Sequence, residues 1–123
     1  MHRTLIVARM DRADAVDVAR IFADSDSTDL PHMVGVSRRT LFAFHGLYFH
    51  LVEAEQDIAP NLYSVRSHPF YKDVNTRLTR YMLPFDPDWK EPRDAMAVPF
   101  YSWSPAEGPT ITEPTGPSMG SAR

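Results

Sequence analysis

Three side chains able to move a proton or steady an anion fall where their neighbours turn them inward: His50, Arg39 and Asp26. His50 stands in Leu47-Tyr48-Phe49-His50-Leu51-Val52, so its imidazole must be satisfied by a partner or put to use. The stretches 36–44 and 47–54 are rich in Val, Leu, Phe and Tyr and are separated only by His45-Gly46, the mark of a two-residue β-hairpin. Pairing Phe44 with Leu47 puts Leu41 opposite His50 and Arg39 diagonal to it on the same face, with Cα atoms about 7 to 8 Å apart. Moving the loop to Gly46-Leu47 keeps that parity, whereas a three-residue loop would bring Arg38 to the face instead. An imidazole beside a guanidinium on a largely apolar sheet is a general acid/base next to an anion stabiliser. The commoner arrangement for these residue types is a core histidine bonded to backbone with the arginine reaching solvent.

Asp26 extends the spacing of Ala15, Ala19 and Phe22 into the last turn of a helix, which aims a carboxylate at the sheet. The negative end of the helix dipole and a dry setting would suit it to carry a proton. Asp24 and Asp29 read as solvated charges at a helix end. Ser25 lies on the Val18, Ile21, Phe22 side of the same helix, and Ser25 and Phe22 are candidate substrate contacts. Arg9 follows four aliphatic residues, so it either joins this cluster or marks a strand end. Trp103 and Tyr101 offer an aromatic wall for a flat ligand, or simply pack. His68 before Pro69 reads as a helix cap. The five histidines show no HxH or HxxxH spacing and no carboxylate completes a ligand triad, so no metal is expected. A Gly-rich phosphate loop, a GxSxG elbow and a dinucleotide fingerprint are missing too.

The elements that must hold these residues follow from periodicity. Residues 3–10 (RTLIVARM) suit a strand covered on both faces. A helix from Ala13 to near Thr28 precedes Leu30-Pro31, and the hairpin follows. Asp57 and Pro60 start a helix over 57–67; Pro69 starts another, with Phe70, Val74, Leu78 and Tyr81 on one face, ending before Pro84. The aromatic stretch 97–104 (AVPFYSWS) reads as a last strand, placed at an edge or bulge by Pro99. The order β-α-β-β-α-α-β predicts an α+β fold: a ferredoxin-like split βαβ unit with a four-stranded antiparallel sheet and helices on one face. Bulky apolar residues at both strand parities imply that the open face is hidden in a homodimer.

The chain has 123 residues, the size of one domain. Its 13 basic and 16 acidic side chains give a net charge of -3 with no basic stripe, so no nucleic-acid partner is expected. With no cysteine, disulfide scaffolds, thiolate metal sites and thiol nucleophiles are excluded. The run Leu5-Ile6-Val7-Ala8 is too short for a signal core or a membrane span, so no membrane partner and a cytoplasmic location are expected. Domain 1–104 should hold the fold. The stretch 105–123 contains 4 of the 11 prolines and 3 of the 5 glycines with few apolar residues, and reads as a disordered tail.

The motifs FHGLYFHLVEA (Phe44 to Ala54), RSHPF (Arg66 to Phe70) and FYSW (Phe100 to Trp103) resemble the tetracenomycin-type aromatic polyketide cyclases of actinomycetes. Val7-Ala8-Arg9-Met10-Asp11, Leu30-Pro31 and Gly35-Val36 extend the resemblance over nearly everything up to residue 104. It implies a homodimeric, ferredoxin-like α+β barrel that uses no cofactor. The implied reaction is late ring closure in an aromatic polyketide intermediate by intramolecular aldol condensation and loss of water, a lyase-type chemistry. The implied catalytic residues are His50, Arg39 and Asp26, with transient contacts to type II polyketide synthase components. The family's type member has a histidine immediately before the aspartate, where this chain has Ser25. A serine takes up no proton near neutral pH, so that duty would pass to Asp26 or His50, or be absent. Two rival readings are a cofactor-free oxygenase of a polycyclic phenol and a non-catalytic chaperone that holds a reactive intermediate.

Overall fold

The computed structural model describes residues 1–114. Strand β1 (His2–Met10) leads through a 3₁₀ turn, Arg12–Asp14, into helix α1 (Ala15–Asp26) and short helix α2 (Leu30–Val34). The hairpin of β2 (Val36–Phe44) and β3 (Leu47–Ala54) follows, then helices α3 (Ala59–Ser64) and α4 (Pro69–Leu78) and the three-residue strand β4 (Met82–Pro84). A second 3₁₀ turn, Pro92–Ala95, precedes a small hairpin of β5 (Tyr101–Ser104) and β6 (Gly108–Ile111). The main sheet is antiparallel in the order β2-β3-β1-β4, as a ferredoxin-like split βαβ unit requires.

The hairpin has the register its sequence dictates. His45 and Gly46 both take positive φ, 48° and 82°, the backbone of a two-residue turn whose twist matches the strands. Phe44 therefore pairs with Leu47, and Leu41 with His50. Along β3 burial alternates strictly: Tyr48, His50, Val52 and Ala54 are buried. Their neighbours Leu47, Phe49 and Leu51 sit on the opposite face, with Phe42 and Phe44 of β2 exposed beside them. The helices cover only the first face. Ile21, Leu30, Val34, Val65 and Val74 pack with Val52 and Ala54, while Val18 and Phe22 pack with Met10 and Tyr48. His50 lies on β3 between these two clusters.

The fourth strand of the sheet is Met82–Pro84, not the aromatic stretch 97–104. That stretch does reach the sheet: Met96 bridges Ile6 and the Ala97 N–H donates to the Leu5 carbonyl at 2.7 Å. Pro99, with no N–H to give, ends the approach, and the chain turns to pair β5 with β6. Part of the presumed tail is thus ordered as β6, and residues 115–123 lie outside the described residues. The buried stripe of α1 is Val18, Ile21, Phe22 and Ser25; Ala19 and Asp26 lie on its exposed flank. On α4 the inward face is Tyr71, Val74 and Leu78, with Phe70 turned out. His68 caps that helix, its Nδ1 accepting the Phe70 N–H at 3.0 Å.

Candidate active site

Between the sheet and the helices lies a cavity of about 670 Å³ whose lining comes from all four strands of the main sheet and from α1, α2, α3 and α4. Most of the lining is apolar: Val34, Val52, Ile58, Val74, Leu78 and Met82. At its β2 side the polar groups converge. Arg39, a third of the way along β2, sends Nη1 to His50 Nε2 at 2.9 Å. The same guanidinium grips the Asp26 carboxylate in a bidentate pair, Nη2 to Oδ1 at 2.6 Å and Nε to Oδ2 at 3.0 Å. It also lies over the Phe22 ring, 4.9 Å from the centroid, and the edge of the same ring meets the His50 imidazole at 5.1 Å. Phe22 therefore fixes both partners from the helix side.

An arginine can only donate, so Nε2 of His50 is an acceptor and the imidazole is neutral with its proton on Nδ1. No buried side-chain polar atom among the described residues lacks a partner, and no protein group there bonds Nδ1, so that N–H looks into the cavity. Burial, aided by the Arg39 charge, lowers the His50 pKa from 6.5 to about 3. Burial pushes the neighbouring Tyr48 phenol up, with Arg39 opposing, so it stays a neutral hydroxyl. The Ser25 hydroxyl lies on the buried side of α1 against the same cavity. Among the described residues no group of three or more His, Asp or Glu is arranged to hold a metal ion.

Arg39, His50, Phe22 and Ser25 are thus brought together, and the Arg39 and His50 parity is that expected from the turn. Asp26 meets Arg39 but not the cavity. Its side chain is 38% exposed, because the helical stripe is centred one position away from the one inferred, so the dry setting expected for it is not found. Arg9 is also misplaced: parity along β1 turns it away from Ile6, Ala8 and Met10, and it donates to the Phe85 carbonyl at 3.2 Å and stacks on the Phe85 ring. Trp103 is 61% exposed on β5 and is not among the residues lining this cavity; the tryptophan of the cavity wall is Trp89. Arg66, Tyr71, Asn75 and Lys90, which the sequence reading missed, also line the cavity. Reading the α4 stripe as 71, 74, 78 would have found Tyr71.

The chain matches the family model described as polyketide synthesis cyclase over residues 2–104. It belongs to that family. Tetracenomycin F2 cyclase of Streptomyces glaucescens is 52% identical over 103 residues, covering 84% of this chain and 94% of that protein. Polyketide synthase CurG of Streptomyces cyaneus is 45% identical over 104 residues, covering 84% of this chain and 97% of that protein. The solved structure of the Streptomyces glaucescens cyclase, described as a type-II polyketide cyclase, superposes with a TM-score of 0.80 at 51% identity over 85% of this chain and 98% of that one. The fold and the enzyme class expected from the motifs are thus those of polyketide cyclases. No helix among the described residues is long and apolar enough to cross a membrane.

Proposed function

We propose that this chain closes a late ring of an aromatic polyketide intermediate by intramolecular aldol condensation and loss of water, without a cofactor. The observation that carries the reading is the Asp26, Arg39, His50 chain of contacts at one side of an otherwise apolar cavity. A methylene flanked by two carbonyls is a carbon acid whose deprotonation leaves an enolate oxygen, and Arg39 is the cation placed to receive it. As Nη1 turns from Nε2 to that oxygen, its charge is taken up by the substrate and the imidazole is freed to accept the methylene proton. The enolate carbon attacks the ketone carbon, and the new alkoxide takes the proton back from His50. Elimination then removes a ring proton and the hydroxyl as water, with His50 again carrying the proton. No net proton is gained or lost by the protein.

Asp26 acts through Arg39, holding its fork in plane, and does not give a proton to the departing hydroxyl. Ser25 offers a hydroxyl for a substrate oxygen. Because aromatisation is downhill and the cavity wall is apolar, much of the effect is that of a template that selects one folded chain conformation. The low basicity of His50 in the free protein favours, as a second reading, a template that acts with little proton transfer. Reconstitution of a minimal type II synthase with and without this protein, followed by product analysis, separates them. A new ring pattern formed much faster than in buffer supports the cyclase, binding without rate gain supports the template or chaperone, and a requirement for oxygen would point to an oxygenase.

The uncovered sheet face, with Leu47, Phe49, Leu51, Phe42 and Phe44, supports a homodimer as the working unit, as does the exposed aromatic hairpin bearing Phe100, Tyr101 and Trp103. The intermediate reaches the cavity by transient contact with synthase components, in a cytoplasmic setting.

A further inference from the structure

Building on the cyclase reading, we infer that Arg66 and Lys90 form an anion subsite that binds the oxyanion at the carboxyl end of the polyketide, so that the ring closed at His50 lies toward the opposite end. Both side chains line the same cavity as His50 and Arg39. Arg39 belongs to edge strand β2, whereas Trp89 and Lys90 follow the other edge strand, β4. Three strand spacings of about 4.8 Å separate those edges by roughly 14 Å.

Arg66 is held on the Lys90 side by Tyr63. The Tyr63 ring lies 4.8 Å from the Arg66 guanidinium and 5.7 Å from that of Arg93, and its hydroxyl accepts the Arg93 N–H at 3.3 Å. This ties α3 to the 3₁₀ turn beside Lys90. Neither side-chain cation is neutralised locally: among the described residues no carboxylate oxygen lies within 4.0 Å of the Arg66 guanidinium or the Lys90 ammonium. Asp94 accepts the backbone N–H groups of Lys90 and Glu91, each at 3.0 Å, which hold its carboxyl below the usual range. Glu91 is the one acid of the lining and leaves the side with excess positive charge. The Tyr71 hydroxyl and Asn75 amide add hydrogen-bond donors, and the half-buried Trp89 adds a ring for stacking.

The cavity is therefore cationic at two sides and apolar between them. A polyketide carries a carboxyl function at one end only: a free carboxylate, or a thioester whose nearest anion is the phosphodiester of a pantetheine arm. Arg66 and Lys90 are both exposed, so either form of oxyanion can reach them from solvent. The other cation, Arg39, is already engaged by Asp26 and is suited to the enolate. The substrate then lies lengthwise, carboxyl end outward at Arg66 and Lys90.

Calorimetric titration of the full chain tests this. The probes are anthraquinone-2-carboxylate and its neutral isostere 2-(hydroxymethyl)anthraquinone, and 4′-phosphopantetheine against pantetheine. The wild type is expected to bind the carboxylate about tenfold or more tightly than the alcohol, as charge-assisted hydrogen bonds allow. Arg66→Gln with Lys90→Gln should erase that preference and leave the alcohol's affinity unchanged. Lys90→Gln alone, at an exposed position, should reduce it partly and guards against a folding defect in the pair. A preference for phosphopantetheine that the double variant also erases identifies a carrier arm as the natural source; its absence beside a carboxylate preference identifies the free acid. No preference for either anion in the wild type, or a preference erased by Arg39→Gln and kept by the double variant, overturns the subsite. Failure of the wild type to bind either anthraquinone counts against the cavity as a polyketide site, and with it the subsite.

Discussion

Arg39 Nη1 donates to His50 Nε2 at 2.9 Å, so the base of the site is the acceptor of the cation placed to steady an anion. The two groups hold each other in a resting state: while the bond stands, the imidazole is neutral and a poor base.

That relationship has a thermodynamic signature. His50 has a pKa of about 3 in the folded chain against 6.5 as the ordinary value. Below pH 6.5 the unfolded chain binds a proton at this histidine and the folded chain does not, so stability falls as pH drops from 6.5 toward 3 and is fully present above 6.5. Thermal melts from pH 8 to pH 4 should show a steeper loss for the wild type than for His50→Gln. Parallel curves would mean that His50 takes up a proton in the folded state.

Asp26 tests the difference between holding Arg39 and giving a proton. Asp26→Asn keeps an acceptor for one guanidinium N–H and removes the charge. Turnover should fall about tenfold with an altered product ratio, as expected of a lost positioning contact. A fall beyond about 10³, with disappearance of one limb of the pH–rate profile, would return Asp26 to the role of a proton donor.

Ser25 is buried against the cavity. Ser25→Ala should change turnover by less than about tenfold if the hydroxyl only solvates a substrate oxygen. Ser25→His should raise the rate or shift the ring pattern, because a second imidazole would then face the substrate. Product profiling by chromatography reads both, and a larger loss in Ser25→Ala would give the serine a share in orienting the reacting groups.

The open sheet face predicts association. Light scattering should give twice the 14.0 kDa chain mass at micromolar concentration. Phe42→Lys with Phe44→Lys, at positions 47% and 59% exposed, should give the single-chain mass with the cavity face unchanged. A wild-type monomer would leave that apolar face uncovered and contradict the dimer.

The hairpin and the Arg39–His50 face were legible because a two-residue turn admits one register and period two does the rest. Helix faces were legible only to within one position. Alanines in α1 carry little apolar signal, so Ala15 and Ala19 draw the inferred stripe toward Asp26 and away from Ser25, which aims the aspartate at the sheet, whereas in the fold its side chain is 38% exposed and meets only Arg39. Met82–Pro84 is too short for alternation to show, and Pro99 breaks the better-looking candidate. Arg9 looked functional because a charge among aliphatics is conspicuous, yet parity alone sends it to the other face. The far wall, with Arg66, Trp89 and Lys90, comes from loops whose position depends on contacts such as Arg93 to Tyr63 that no local pattern encodes.

The most direct test of the central claim is a double-mutant cycle on turnover in the reconstituted synthase, with His50→Gln, Arg39→Lys and the two combined. His50→Gln should lower turnover by about 10² or more without lowering the melting temperature near pH 7. Arg39→Lys, which keeps charge but loses the planar fork, should impair turnover or the choice of ring. If the pair acts on one transition state, the double variant should be only slightly slower than the slower single variant. Fully additive losses, or wild-type turnover in His50→Gln, would contradict the account and leave His50 a neutral core histidine satisfied by Arg39.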